Sequence, residues 1–299
     1  MATHNPSKNS GGAGSFRYIF FGTPTIAVAS LDALKATNLL PALIVTAPDK
    51  PRGRGLVLTQ SPVRVWAETH NIPVLTPTKL SDETFLKEIA DVHADIFVVV
   101  AYGKILPQSL LSLAPQGTLN MHPSLLPKHR GPSPIESQVL AEPSGDTVGV
   151  SVMLLDEEMD HGPILAQKKA SPSVWPQRAS ELYQLLGDLG GSLLAETLSQ
   201  WVAGDISPKE QDHAAATYCT KIKKEVGLLD LATDATTNYR KFLAYDMWPR
   251  TYFMANHRGK EVRVIITDAR LKDGVFVVKK VIPEGRKEMA YEEFLKNNS

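Results

Sequence analysis

At 299 residues, 43% of them hydrophobic, the chain can bury a sizeable core as one large or two modest domains. Its 32 Lys plus Arg balance 32 Asp plus Glu, which argues against a chain built throughout to coat a polyanion, although residues 207–299 hold 17 basic against 13 acidic side chains and leave 15 against 19 for the rest. A single cysteine, Cys219, excludes a disulfide framework, a thiolate cluster and a Cys-x-x-Cys pair; with no apolar run of about 18 residues, a cytoplasmic protein without a membrane segment is expected.

Residues 1–15 are polar and rich in Gly, Ser and Asn, lack the apolar stretch of a signal peptide, and read as a disordered tail. Residues 16–21 (Phe-Arg-Tyr-Ile-Phe-Phe) form a nearly continuous apolar run ending at Gly22, the pattern of a strand covered on both faces. Thr23 and Pro24 then predict a helix through Leu34, with a threonine cap and proline at its first position. The unit recurs as strand 42–46, helix 62–69, strand 73–75, helix 82–92 and strand 94–101, the last (Ala-Asp-Ile-Phe-Val-Val-Val-Ala) the most pronounced in the chain. This alternation predicts an α/β fold over residues 16–203 with a Rossmann-like, doubly wound, mostly parallel sheet, whose ligands gather at the carboxyl ends of the strands. The turn Gly22-Thr23-Pro24 is no Gly-x-Gly-x-x-Gly fingerprint, so no dinucleotide site is expected.

The next stretch, 119–134, is the most informative: Leu-Asn-Met-His-Pro-Ser-Leu-Leu-Pro-Lys-His-Arg-Gly-Pro-Ser-Pro. If the chain stays extended to His122, Asn120 and His122 leave one face of a strand. An amide can donate to a developing oxyanion, and an imidazole with an unperturbed pKa of about 6.5 can exchange protons near neutrality. Prolines at 123, 127, 132 and 134 forbid a regular helix and hold a rigid loop. A helix is predicted at 134–141, then a strand at 147–155 that runs into an acidic loop ending Asp160-His161-Gly162, then a short extended segment at 164–169. Apolar residues at helical spacing over 179–202 predict a long helix that closes the domain. Residues 204–220 read as a linker, and a helix at 234–244 with β-like runs at 261–267 and 275–281 suggests a small second domain over 221–299.

Asn120, His122 and Asp160 form the sharpest catalytic hypothesis, Asp160 holding the tautomer of His122 from a loop after a later strand. The same pattern fits a structural Asn-His turn. No Ser sits in a Gly-x-Ser-x-Gly elbow, and Cys219 lies in the expected linker. The nucleophile should therefore belong to a substrate, which points to group transfer between two bound molecules. His129 and His161 read as surface loop residues, and with no zinc-ligand spacing no metal is expected. Asp156, Glu157, Glu158 and Asp160 could hold a hard cation, a solvated acidic loop being the commoner explanation. In the loop 49–55, Lys50, Arg52 and Arg54 lie among glycines and can meet phosphates, or form an ordinary surface loop.

These residues resemble the formyltetrahydrofolate-dependent formyltransferases, whose sites carry Asn-x-His, a Ser-Leu-Leu-Pro loop and a distant Asp-x-Gly, here Asn120-Met121-His122, Ser124-Leu125-Leu126-Pro127 and Asp160-His161-Gly162. Within that family, Phe20-Phe21-Gly22-Thr23-Pro24, the 48–55 loop, Ser61-Pro62-Val63 and Val98-Val99-Val100-Ala101-Tyr102-Gly103 are similar to the members that formylate methionyl initiator tRNA, closely over 16–201 and loosely over 218–295. The resemblance implies transfer of the formyl group of 10-formyltetrahydrofolate to the α-amino group of methionyl initiator tRNA, in a monomer, with an amino-sugar acceptor or a folate-binding module without catalysis as the rival readings. It implies that Asn120 and protonated His122 stabilise the oxyanion while Asp160 supports the imidazolium. It also implies a folate pocket formed by Tyr102, Gly103, Ile105 and the Ser124, Leu125, Leu126, Pro127 turn, a grip on tRNA by Lys50, Arg52 and above all Arg54, and a C-terminal OB-like β-barrel. The chain departs from the pattern at Asp246-Met247-Trp248-Pro249, where Asn-Pro-Trp-Pro is usual, at Leu231, at Pro163, and between Val264 and Val277, where the β domain is short.

Overall fold

The structure, a computed structural model, describes residues 16–52, 57–257 and 259–296. The predicted tail at 1–15 and Arg54 lie outside the described residues.

A seven-stranded sheet is built from β1 (Tyr18–Gly22), β2 (Leu43–Val45), β5 (Val74–Leu75), β6 (Ile96–Val100), β7 (Thr118–His122), β8 (Gly149–Leu154) and β9 (Ile164–Lys169) in the order β5-β2-β1-β6-β7-β8-β9. Pairing is parallel from β5 to β7 and antiparallel at β7-β8 and β8-β9. Between β2 and β5 a small hairpin of β3 (Lys50–Arg52) and β4 (Val57–Thr59) stands apart from this sheet. Both faces of the parallel part are covered, which is why its strands read as unbroken apolar runs. Tyr18 and Phe20 point into one core with α1 (Thr25–Ala36), α2 (Pro62–Thr69) and α6 (Ala179–Ala203); Ile19 and Phe21 point into another with α3 (Glu83–Asp91) and α4 (Gln108–Leu111). Each such side chain contributes roughly 1.5–3 kcal/mol on burial.

Two local expectations are corrected. Thr23 does not cap α1: the helix begins at Thr25 after Pro24, and the Thr23 hydroxyl instead donates to the Tyr102 carbonyl at 3.2 Å, tying the first turn to the end of β6. In addition, the strand before the acidic loop runs against β7, with Leu154 opposite Leu119 and Ser151 opposite His122. It therefore leaves the sheet at the end where β7 begins, and residues 155–163 must climb back along β7 to reach its carboxyl end.

The C-terminal part is a four-stranded antiparallel sheet, β10 (Tyr252–His257), β11 (Lys260–Lys272), β12 (Val275–Pro283) and β13 (Met289–Ala290), in sequential order, packed by α7 (Ala235–Ala244) and α8 (Tyr291–Lys296). It is a short meander; among the described residues no ladder joins β10 to β13. Its apolar residues, Leu229, Phe242, Phe253, Val264 and Val281 among them, belong to the same buried cluster as the α6 side of the large sheet. Asp246, where the family pattern has Asn, accepts from the backbone N–H and hydroxyl of Ser180 in the first turn of α6, a favourable place for a carboxylate. Next to it Glu136, on α5 (Pro134–Ala141), is buried with one carboxylate oxygen unpartnered; burial, aided by the charge of Asp246, pushes its pKa up. No helix among the described residues is long and apolar enough to cross a membrane.

Candidate active site

β7 sits between a parallel and an antiparallel neighbour, so its backbone is fixed from both sides. Alternation then sorts its side chains. Leu119 and Met121 face the α6 core, where Gly190 leaves no room for a methyl group beside the Met121 sulfur, only 2.7 Å from where a Cβ would lie. Asn120 and His122 face the opposite way, 8% and 4% exposed. The expectation of a shared face holds.

Asp160 is brought to that face by the climbing loop, with φ at +51°, left-handed backbone that few non-glycine residues adopt. Its Oδ2 accepts from the Gly131 backbone N–H at 2.7 Å. Its Oδ1 lies 3.5 Å from Asn120 Nδ2 and 3.6 Å from His122 Nδ1, loose separations of the kind that tighten when substrate packs against a site. The other ring nitrogen of His122 is committed: Nε2–H donates at 3.0 Å to the carbonyl of His129, whose φ of +60° turns that carbonyl inward. A second ring proton would therefore sit on Nδ1, facing Asp160.

The three side chains form one wall of a cavity of about 510 Å³, which Tyr102, Gly103 and Ile105 also line, together with Pro24, Gly131, Pro132, Ile135, Met159 and Tyr183. Such a volume suits a medium-sized organic ligand. Tyr102 is 4% exposed, its ring edge-on to Phe21 and its hydroxyl, pushed up to about 12 by burial, unpartnered. Ile105 and Met159, by contrast, are exposed at the mouth. Lys104 also lines the cavity but donates to the carbonyls of Pro77 and Thr78 at 2.8 and 3.0 Å; burial, with Lys50 nearby, lowers its pKa. Among the described lining residues there is no Ser, Thr or Cys.

Ser124, Leu125, Leu126 and Pro127, expected to contact the folate donor, are not among the residues that line this cavity. After Pro123 the chain turns toward β8 and β9. The Ser124 hydroxyl donates to the Lys128 carbonyl at 2.6 Å, the Leu126 N–H to Ser151 Oγ at 3.0 Å, and Gln167 Nε2 to the Leu126 carbonyl at 2.8 Å. Leu125 lies where a side chain on Gly149 would go, and the Leu126–Pro127 bond is cis. Lys50 is exposed on the β3-β4 hairpin outside the cavity wall, with Arg52 at the end of β3.

Sequence reasoning misjudged three neighbours of the site. His129 is buried, with Nε2 2.7 Å from Glu142 Oε1 and its backbone N–H on Thr217 Oγ1, because two distant segments close over what reads as a basic surface run. Residues 204–220 pass directly beside the loop that follows β7: Arg130 N–H donates to Thr217 O, Cys219 N–H to Arg130 O, and Lys209 bridges Ile164. Cys219 thus lies against Gly131, whose φ of +119° and 2.4 Å from a would-be Cβ to the Cys219 carbonyl admit only glycine. Burial, with the charge of Asp160 adding, pushes the Cys219 thiol up. Among the described residues no group of three or more His, Cys, Asp or Glu could hold a metal ion.

Residues 16–198 match the family described as Formyl transferase. The methionyl-tRNA formyltransferase of Chloroflexus aurantiacus is 42% identical over 269 residues, covering 89% of this chain and 84% of that protein. The chain belongs to the methionyl-tRNA formyltransferase family. The Desulfotalea psychrophila relative of the same name is 40% identical, covering 94% of this chain and 92% of its own. Among solved structures, the Clostridium thermocellum methionyl-tRNA formyltransferase superposes with a TM-score of 0.60 at 15% identity, over 90% of this chain and 99% of that one. A sugar 3N-formyl transferase solved with dTDP and 5-N-formyl-THF gives 0.61 at 18%, over 92% and 97%. At these identities the structural likeness shows a shared fold, and the sugar enzyme stands far from this chain in sequence.

Proposed function

We propose that this protein transfers the formyl group of 10-formyltetrahydrofolate to the α-amino group of methionyl initiator tRNA. The observation that carries the reading is a cavity wall in which Asn120, His122 and Asp160 converge while no Ser, Thr or Cys among the described residues lines the same cavity. The attacking atom then belongs to a substrate. As the amine nitrogen bonds to the formyl carbon and the bond to the folate nitrogen breaks, one proton must pass from the amine to the leaving nitrogen. The Asn120 amide has a second N–H, beside the one facing Asp160, for the oxygen that gains charge. With Nε2 tied to His129, the proton-handling atom of His122 is Nδ1, and Asp160 Oδ1 is its partner. Attack needs a neutral amine, which an aminoacyl ester supplies more readily than free methionine.

Tyr102, Gly103 and Ile105 would receive the folate donor, the apolar ring face against the wall and the solvent-seeking end toward the mouth. Lys50 and Arg52 of β3, together with Arg54 and the basic C-terminal part, would contact tRNA phosphates, an attraction that weakens with salt. The test is direct. Charged initiator tRNA plus 10-formyltetrahydrofolate should yield formylmethionyl-tRNA; turnover with a nucleotide-linked amino sugar and none with tRNA would overturn the assignment.

A further inference from the structure

Between residues 203 and 218 every residue is exposed or half-exposed except one, and that one is polar: Gln211, 5% exposed. Its amide is fully occupied. Oε1 accepts from Nε and Nη2 of Arg130 at 3.1 and 2.6 Å, and Nε2 donates to the carbonyls of Asp160 and Gly162 at 3.0 and 2.7 Å. Arg130 is itself 1% exposed, and its other partners are His213 Nδ1 at 2.9 Å and the Tyr218 hydroxyl at 3.4 Å; among the described residues no carboxylate pairs with it. A buried cation is costly without a counter-charge, so its placement against a neutral amide calls for a role. The fork of Arg130 fixes which end of the Gln211 amide faces inward, since only a carbonyl oxygen can accept both donors.

What faces inward is the donor end, and it holds the two carbonyls that bracket the turn of Asp160. That turn needs holding. Asp160 is in left-handed backbone, and Gly162 passes so close to Leu154 that a Cβ would fall 2.1 Å from its carbonyl oxygen. The Gly131 N–H fixes the carboxylate of Asp160 from one side, and Gln211 fixes its main chain from the other. Gln211 in turn is pinned between the Lys209–Ile164 bridge and the bonds of Thr217 and Cys219 to Arg130.

We propose that Gln211, locked by Arg130, is a positioning residue for Asp160, so that residues 204–220 complete the active site rather than merely joining two parts of the chain. This rests on the formyl-transfer reading above. The discriminating variant is Gln211→Glu, which keeps size and still accepts from Arg130 but has no N–H for the Asp160 and Gly162 carbonyls. Formylation is measured against both substrates across pH. The expected result is a kcat lowered about 30- to 100-fold, the cost of misplacing a reacting group by about an ångström, with both KM values within about threefold of wild type and a displaced pH–rate profile. A wild-type kcat with an unchanged profile overturns the proposal, whatever happens to stability. Should Gln211→Glu fail to fold, Arg130→Lys carries the same test, because it keeps the cation while losing the fork; wild-type kcat there overturns it equally. If the wild-type protein itself forms no formylmethionyl-tRNA, the functional reading has failed, whereas an active wild type with an equally fast variant defeats this inference alone.

Discussion

Two members of the candidate triad and the third are held in place by different physics. Asn120 and His122 belong to a five-residue strand laddered on both sides, so their direction follows from backbone pleating and needs no side-chain support. Asp160 stands on a loop outside any ladder, in unfavourable backbone, and depends on bonds from Gly131 and Gln211, neither of which is near it in sequence. A perturbation of the strand side should therefore be absorbed by the sheet, whereas a perturbation of the loop side should misaim a carboxylate. The proposed chemistry would be shared between a rigid half and a braced half.

The largest effect expected is at the braced half's reacting group. Asp160→Asn keeps the shape and can still accept from the Gly131 N–H, but removes the charge facing Nδ1 of His122. Single-turnover formylation should slow by about 10³-fold, within the usual range for removing an acid–base or charge-stabilising group, with little change in the unfolding transition. A rate within tenfold of wild type would show that the strand pair works without its acid.

The rigid half was also the legible half. Strands 16–21 and 94–101, helices at 62–69 and 134–141, and the shared face of Asn120 and His122 follow from local periodicity, which a sequence displays directly. The loop half carries no such signal. Asp160 could be chosen as an acid after a later strand, but its route could not, because nothing local says that β8 runs antiparallel to β7. His129 reads as surface because Glu142 and Thr217, which bury it, come from elsewhere. Gln211 lies in a polar stretch whose composition is that of a linker, and α8 is a six-residue element that packs on β12 and β13.

A smaller effect should come from disturbing the brace without touching a reacting group. At Gly162 an added methyl would collide with the Leu154 backbone carbonyl, which cannot step aside without breaking its sheet register. Gly162→Ala should cost about 1–3 kcal/mol in urea unfolding and lower kcat about tenfold as the Asp160 turn shifts. If stability falls while kcat stays at the wild-type value, the loop tolerates displacement and the contrast between the two halves is weaker than drawn.

The smallest effect separates the cavity from the turn beside it. Ser124 is fully buried and its hydroxyl donates to the Lys128 carbonyl, a bond that shapes the turn leading to His129 and lies off the cavity wall. Ser124→Ala removes one buried bond and should lower stability by about 1 kcal/mol, while the KM for 10-formyltetrahydrofolate stays within twofold of wild type. The opposite outcome, unchanged stability with a donor KM raised several-fold, would return the turn to the pocket wall. The expected one leaves it as scaffold: it delivers the His129 carbonyl to Nε2 of His122 and so leaves Nδ1, the nitrogen facing Asp160, as the one that exchanges the proton.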